Sequence, residues 1–511
     1  MSGSISRIKL RILARRIKGF LEEYSHNKIG LLGIAVILTY IIVAVLTPQI
    51  APYTPNDKGV ADTFAMPGWV TIFPQYNRLP PTLKNQVNFA ASELNNIKVE
   101  LKDYDPELCQ LLNATSITAW KIKYNGNDTE LVEFKLSWNF TYNYLPPPVI
   151  GYRFRWRVAN LSKMGYNLEL SLVRWGSTSD EYSLWDSNFA RNSPLRSLKY
   201  KTTYPYKDWP TLVEARTDYN ETLTRLASQV GLSGNITSKS VLQVLFPEPS
   251  EYCLVMRVRL NPTSTNSTCE IDIINPEFTV LGAVSGILGT DHEGADIFSK
   301  LVYGVRISLS IGLLVAVTTT VIGTLVGVTS GYIGGFIDEV NMRMVDLFLC
   351  LPFFPLLLAL IALFGRNLYI MMFFIVLLSW MGLSRAVRSQ VLSIREMAFV
   401  ESAIASGASR SYLLLRHIIP NVMPLTFTAM MLSIPGAILA EASLSFLGFG
   451  DPKLMTWGRM INEAMGYGGF ARLAWWWIFP PAFAILFLCM GFVFTSHALD
   501  QVLNPRLRRR R

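Results

Sequence analysis

Charge is scarce in this chain: 16% of its 511 residues are Asp, Glu, Lys or Arg, against about a quarter in an ordinary soluble domain. Cysteine is scarcer still, with five in all. None forms a CxxC pair, so neither a disulfide-packed scaffold nor a zinc ribbon is written here. The four histidines, His26, His292, His417 and His497, lie in separate segments, and no Ser/His/Asp or Cys/His constellation can be drawn from them. No G-x-x-x-x-G-K-[ST] occurs, so the chain cannot cradle nucleotide phosphates with a P-loop of its own. No intrinsic chemistry is read from it.

What is abundant is apolar surface. Half of the residues are hydrophobic and the mean hydropathy is +0.29, too high for an ordinary soluble protein and too low for a chain made only of spans. Uncharged runs occupy 29–46, 307–336, 347–364, 367–384, 421–440 and 473–497. Each is long enough to cross ~30 Å of hydrocarbon at ~1.5 Å per residue. The first run exceeds a secretory h-region, and the Ala51-Pro52-Tyr53 after it is a poor cleavage site, so it reads as a retained anchor.

The formal charge of +10 is unevenly spread. Residues 1–28 carry Arg7, Lys9, Arg11, Arg15, Arg16, Lys18 and Lys28 against Glu22 and Glu23; 499–511 carry Arg506 and Arg508 to Arg511 against Asp500. Basic and acidic residues balance between 49 and 280. Basic flanks beside apolar runs mark cytoplasmic segments, not a nucleic-acid surface. Six spans then place both termini, the 338–346 loop and the segment 385–420 inside, and residues 48–306 outside. That inner segment is itself basic, with Arg385, Arg388, Arg395, Arg410 and Arg416 against Glu396 and Glu401.

Residues 48–280 read differently from the rest. Glu133–Tyr144, Tyr152–Ala159, Asn167–Trp175 and Tyr252–Leu260 alternate apolar and polar residues at period two, the pattern of half-buried strands. A β-rich extracytoplasmic domain inserted between spans 1 and 2 is expected. All seven N-x-[ST] sequons fall here, at Asn113, Asn127, Asn139, Asn160, Asn220, Asn235 and Asn266. Glycans there would fit an archaeon better than most bacteria; accidental sequons in an Asn-rich domain are the plainer alternative. Cys253 and Cys269 sit at the ends of strand-like segments, where a bridge would close a short loop.

Between 395 and 420 the sequence ESAIASGASRSYLLLRHIIPN begins at Glu401. A short helix to Gly407, a turn there, and an amphipathic helix Ser411–Ile419 ending before Pro420 would make a cytoplasmic protrusion able to enter a groove on a soluble partner. A passive connector is the competing reading. Asp291, His292, Glu293 and Asp296 are close in sequence, but Thr290 or Asp291 capping an interfacial helix that runs to Arg306 explains them more simply than a metal; no metal site is assigned. Gly323, Gly327, Gly331 and Gly335 recur every four residues and permit close helix packing, within the chain or against a partner. Glu441, at the end of the fifth span, is a functional or a capping acid.

Glu401-Ser402-Ala403, Gly407-Ala408 and Ile419-Pro420 resemble the EAA loop of ABC-importer permeases. Leu288–Asp296, with Gly289, Thr290, Asp291 and Asp296, extends the likeness, as do Arg306–Leu309, Glu441–Gly450, Trp457-Gly458, Trp475–Phe483 and Leu499–Leu507. Together they resemble the second, C-type permease subunit of the oligopeptide/dipeptide importers, strongly over 281–511 and weakly over 1–50. Ser402 stands where that family usually has Ala, Ala295 where it has Arg, and Asn504 where it has Asp; the family normally has only a short segment between its first two spans.

The resemblance implies an all-α polytopic membrane protein, a type I ABC importer permease of six transmembrane helices (about 29–47, 307–336, 347–364, 367–384, 421–442 and 473–497). It implies residence in the cell membrane, alternating access, and partners: a second homologous permease, two ATP-binding subunits, an extracellular solute-binding protein and the bilayer. No cofactor is expected on this chain, since ATP and Mg²⁺ would sit on the ATPase subunits. Oligosaccharides are the competing cargo, and a membrane-anchored surface receptor without an ATPase is the competing class.

Overall fold

The computed structural model describes residues 24–87, 90–91, 97–103, 118–126, 130–162, 164–174, 181–187, 211–217, 220–234 and 236–503. Most of both basic termini, Cys109, Asn113, Asn127 and Asn235 lie outside the described residues, as does the side chain of Asn160. The chain divides into two compact units, one of residues 1–57 with 296–511 and one of 58–295.

The first unit is helical: α1 Lys28–Val45, α2 Ile297–Ile333, α3 Gly335–Cys350, α4 Phe353–Phe364, α5 Leu368–Ser379, α6 Met381–Arg395, α7 Ala398–Ala405, α8 Ile419–Phe446, α9 Trp457–Gly466 and α10 Trp475–Leu503. Among the described residues, five stretches are long and apolar enough to cross a membrane, and a sixth if one bent pair counts as a span. The expected span 347–364 falls across that pair and is not one continuous helix. Helices α3 and α4 meet at 87° across Leu351-Pro352, because proline denies the chain a helical bond and forces the preceding residue out of the α region. Leu351 is extended, at ψ 135°.

A second correction concerns the expected interfacial helix 281–306. No helix begins at Thr290 or Asp291; the cap is Asp296, whose carboxylate accepts from Ser299 N at 2.8 Å and from Ser299 Oγ at 2.6 Å. From there α2 runs unbroken for 37 residues to Ile333 and stops at Gly334, at φ +70°.

Its glycine stripe faces inward. A Cβ on Gly323 would lie 2.9 Å from Trp380 O, one on Gly327 2.5 Å from Ser384 O, and one on Gly331 2.8 Å from Val391 Cβ. The stripe is therefore the seat of α6, within the chain. Little hydrophobic force holds helices together in lipid, so contact depends on such close approach.

The second unit is a β-sandwich, every strand pair antiparallel. Strands are β1 Leu83–Gln86, β2 Ala90–Ala91, β3 Ile97–Asp103, β4 Thr118–Gly126, β5 Val132–Tyr142, β6 Val149–Ser162, β7 Met164–Arg174, β8 Glu181–Asp186, β9 Thr211–Arg216, β10 Ser250–Pro262 and β11 Ser267–Leu281. One sheet runs β3-β4-β11-β6-β9 with β1 also on β11, the other β2-β5-β10-β7-β8. The four expected strands are all present, Tyr152–Ala159 and Tyr252–Leu260 within β6 and β10, and Glu133–Tyr144 and Asn167–Trp175 overlapping β5 and β7, which end at Tyr142 and Arg174. Their inward residues, such as Phe134, Leu168, Tyr252 and Val258, share one core with Ile271 and Phe278 of β11.

The expected Cys253–Cys269 bridge is absent: both thiols are free and buried. Cys253 lies nine residues before the end of β10, roughly 30 Å of extended chain, and Cys269 is the third residue of β11 in the other sheet. Disulfides need Cα atoms within ~7 Å. Burial pushes the Cys269 thiol up to about 12, with Glu270 adding to it, so it is an inert packing group.

Candidate functional site

The segment 395–420 is built on α6. Its Val387, Val391 and Ile394 bury against Val400 of α7, together with Leu413, Ile418 and Val422. Only two residues, Glu396 and Met397, separate α6 from α7, and that shared core fixes the short helix in place. Helix α7 ends in a Schellman turn: Ala408 N donates to Ala403 O at 3.1 Å and Gly407 N to Ile404 O at 2.9 Å, with Gly407 at φ +79°. An L-residue pays for that left-handed conformation and glycine does not. Ser409 then caps the next turn, accepting from Tyr412 N at 3.3 Å.

Here the expected second helix, Ser411–Ile419 ending before Pro420, is overturned. Helical structure starts at Arg410, widens into a π turn over Leu414–Ile418, and continues straight into α8. Pro420 follows directly on that π turn. The wider π turn leaves room for its ring, and Asn421 Nδ2 satisfies His417 O at 2.6 Å.

The result is a concavity of about 480 Å³ lined by Ala403, Ser406, Gly407, Ala408, Ser409, Tyr412 and His417. His417 lies 5.8 Å from the ring of Phe399 and 5.7 Å from that of Tyr412. Ile404, Tyr412 and Leu415 of the same segment are 52%, 52% and 70% exposed, apolar groups that the chain itself leaves uncovered. Glu401 and Ser402 are exposed and Ala403 and Ala408 half-buried. The departure at Ser402 is absorbed locally, since its hydroxyl donates to Ala398 O at 2.8 Å within α7. Tyr412 and His417 escaped the sequence reading; the run Tyr412, Leu415, Ile419 signalled a helix face, not the aromatic wall of a recess.

The other expected motif, 288–296, falls almost wholly in the second unit. In the sandwich unit Thr290 and Asp291 are buried turn fasteners: Thr290 Oγ1 donates to Asp62 O at 2.5 Å, and Asp291 Oδ1 accepts from Glu293 N and Ala295 N at 2.8 and 3.0 Å. Gly289 turns the chain at φ +70°. Among the sequons, Asn139, Asn220 and Asn266 are exposed. Glu441 is 1% exposed and accepts from Ser445 Oγ at 2.6 Å.

A bundle of apolar helices carrying an exposed helix–turn element seated on α6 defines a polytopic membrane protein. Comparisons with known proteins make the class specific. Residues 323–509 match the family described as binding-protein-dependent transport system inner membrane component, and residues 17–81 match the N-terminal TM domain of oligopeptide transport permease C. Neither profile covers 82–322, where most of the sandwich lies. The oligopeptide transport system permease protein OppC of Haemophilus influenzae is 37% identical over 219 residues, 43% of this chain and 70% of that protein. The dipeptide transport system permease protein DppC of Bacillus subtilis is 35% identical over 222 residues, 43% and 69% of the two chains. OppC of Escherichia coli K12 is 37% identical over 220 residues, 43% and 72%.

A chain of the MetNI methionine ABC transporter in inward-facing conformations aligns with 40% of this chain and 95% of its own, at 18% identity and a TM-score of 0.32.

The chain belongs to the oligopeptide/dipeptide ABC permease family, as a C-type subunit. It is a transport subunit of a multi-pass membrane complex and not itself an enzyme; the family's ATPase sits on separate subunits.

Proposed function

We propose that this chain is one of two permeases in an importer of oligopeptides or dipeptides, and that α7 with the Gly407 recess docks on an ATPase subunit. The observation that carries the docking is a set of uncovered apolar side chains: Ile404, Tyr412 and Leu415 are exposed on a segment whose Val400, Leu413 and Ile418 are buried in one core. Exposed apolar groups on such a segment mark a partner site. Two ATP-binding subunits, holding ATP and Mg²⁺, would close on such recesses of the two permeases and swing the spans between inward- and outward-open states. A solute-binding protein would deliver the peptide.

The orientation follows from charge. Arg388 pairs with Asp338 and Arg385 with Asp346, which supports one side for α7 and the 338–346 loop. The basic residues of that side favour the cytoplasm. The sandwich then lies outside, where Asn139, Asn220 and Asn266 are available for glycans and the fold would help receive the binding protein.

The test is ATPase co-purification with Gly407 variants. Gly407→Arg places a strained, charged side chain at the recess and is expected to reduce ATPase association at least about tenfold, an effect of about 1.4 kcal/mol or more. Gly407→Asn, which tolerates positive φ, is expected to retain it. Normal association and normal uptake of a labelled peptide by Gly407→Arg would sink the docking assignment.

A further inference from the structure

The docking element and the spans leave two ion pairs without a task. Arg388 on α6 donates from Nε to Asp338 Oδ1 and from Nη2 to Asp338 Oδ2, both at 2.5 Å. Asp338 lies in the first turn of α3. One turn back on α6, Arg385 pairs with Asp346, two turns further along α3. The two helices therefore run antiparallel along this seam. Asp338 and Arg388 are 17% and 32% exposed, whereas Asp346 and Arg385 are half exposed. An exposed pair contributes little stability, but a bidentate, partly buried fork fixes the relative position of the elements that carry it.

Those elements have distinct duties. Helix α6 is continuous in packing with α7 through Val387, Val391, Ile394 and Val400, so a push on α7 is felt by α6. Helix α3 leads elsewhere. Past Cys350 it bends by 87° into α4, whose Leu357 and Ile361 are wholly buried beside Met371 and Ile375 of α5. At its start α3 is tied to α2 by the reversal at Gly334-Gly335, with φ +70° and +57°, and by Asn341 Nδ2 to Ser330 Oγ at 2.9 Å. Two glycines at positive φ make a joint with no side chain to stiffen it. Helix α6 is seated on α2 through the glycine stripe, so those two shift together, and without the arginines the glycine joint would let α3 lag behind them.

We infer that Asp338–Arg388, backed by Asp346–Arg385, is the positioning clamp that delivers displacement of the ATPase-docking helix to the bent pair α3–α4, and that this bent pair moves with it. The inference rests on the ABC-permease reading. In it, α6 acts as a rod, the fork as its grip on α3, and the Leu351-Pro352 corner as the place where travel parallel to one helix becomes travel across the next.

Cys350 reports on that corner, being exposed as the last residue of α3. In the complete transporter, purified with its own partner subunits, its alkylation by N-ethylmaleimide is followed by peptide mass spectrometry with and without ATP and vanadate. The wild-type complex is expected to change its Cys350 rate at least about fivefold on trapping. Asp338→Arg and Arg388→Asp are each expected to cut that change to under about twofold while ATPase association and basal hydrolysis persist; the double exchange is expected to restore it. A merely structural role would not separate hydrolysis from the Cys350 response.

Three results overturn the clamp: no nucleotide-dependent change at Cys350 in an actively hydrolysing wild type, a full change in either single reversal, or no recovery in an assembled double exchange. Should the reversals not assemble, Asp338→Asn decides: loss of more than half of the change supports the clamp and full retention overturns it. Failure of the permease reading itself looks different, as a wild-type chain with which no ATPase purifies.

Discussion

The two units of this chain solve the packing problem in opposite ways. In the helical unit the decisive residues are the smallest: Gly323, Gly327 and Gly331 let α6 come so close to α2 that any Cβ there would strike backbone or Val387 and Val391. In the sandwich they are among the largest. Tyr142, Phe246 and Tyr252 are fully buried, with Phe246 5.1 Å from the ring of Tyr142 and 4.6 Å from that of Tyr252. Water supplies a strong drive to bury large apolar groups. Lipid does not, so helices there are held by fit. One unit should break when a side chain is added, the other when one is removed.

The largest effect is expected at Gly327. Leucine there would meet Ser384 O at 2.5 Å and Val387 Cβ at 2.7 Å at its very first carbon, and neither α2 nor α6 can retreat without opening the whole seam. Overpacking costs about 1–3 kcal/mol, the upper end applying where neither side can yield. Gly327→Leu should leave almost no folded chain in membranes, measured as monodisperse protein after solubilisation. Gly436→Leu is the contrast, since no atom of the described residues lies within 4 Å of a Cβ at Gly436; it should accumulate near wild-type level. Equal loss in both would show that the helix tolerates no bulk anywhere, and the fit argument would fail.

The sandwich should yield to the reverse change. Phe246→Ala removes a ring that is 1% exposed and leaves Tyr142 and Tyr252 facing a void, a loss of about 3–5 kcal/mol. Residues 58–295, which carry their own core, provide the sample: expressed alone and unfolded in urea, the variant should show a lower midpoint at unchanged slope. A drop under about 1 kcal/mol would mean that the aromatic cluster collapses onto itself.

The same contrast decides what was legible. Long uncharged runs revealed the long apolar helices, because lipid penalises each unpaired charge. Period-two alternation revealed β5, β6, β7 and β10. The central strand β11 was missed, although it is the longest of all. Its run is broken by Asn275-Pro276, which reads as a terminator, yet the strand continues through a register shift between Ile274 and Glu277 with Asn275 at φ +45°. A bulge rescues the proline that a regular ladder would reject. Pro420 misled in the same way, taken as a stop where a π turn carries the helix on. The motif residues 401–408 and Gly407's turn were legible because glycine at a C′ position has few alternatives. The recess walls at Tyr412 and His417 were not, since they depend on how α8 is aimed after that π turn.

The smallest effect tests the comparison at a single hydrogen bond. Thr237 caps the sandwich helix Ser238–Leu245 with a capping box: Ser240 N donates to Thr237 Oγ1 at 3.2 Å and Thr237 N to Ser240 Oγ at 3.1 Å. Both bonds are exposed, so water takes over when the hydroxyl goes. Thr237→Ala should therefore cost only about 1 kcal/mol, lowering the midpoint of residues 58–295 by roughly 2–4 °C. Thr237→Ser, which keeps the oxygen, should stay within ~0.5 kcal/mol. The cap of α2 lies in the other regime: Asp296 is 4% exposed and holds Ser299 through two bonds, with no water to replace it. A loss at Thr237 above ~2 kcal/mol would show that the exposed cap organises Val241 and Leu242 in the core beneath it. The sandwich, like the helical unit, would then depend on fit at single atoms and not on bulk burial alone.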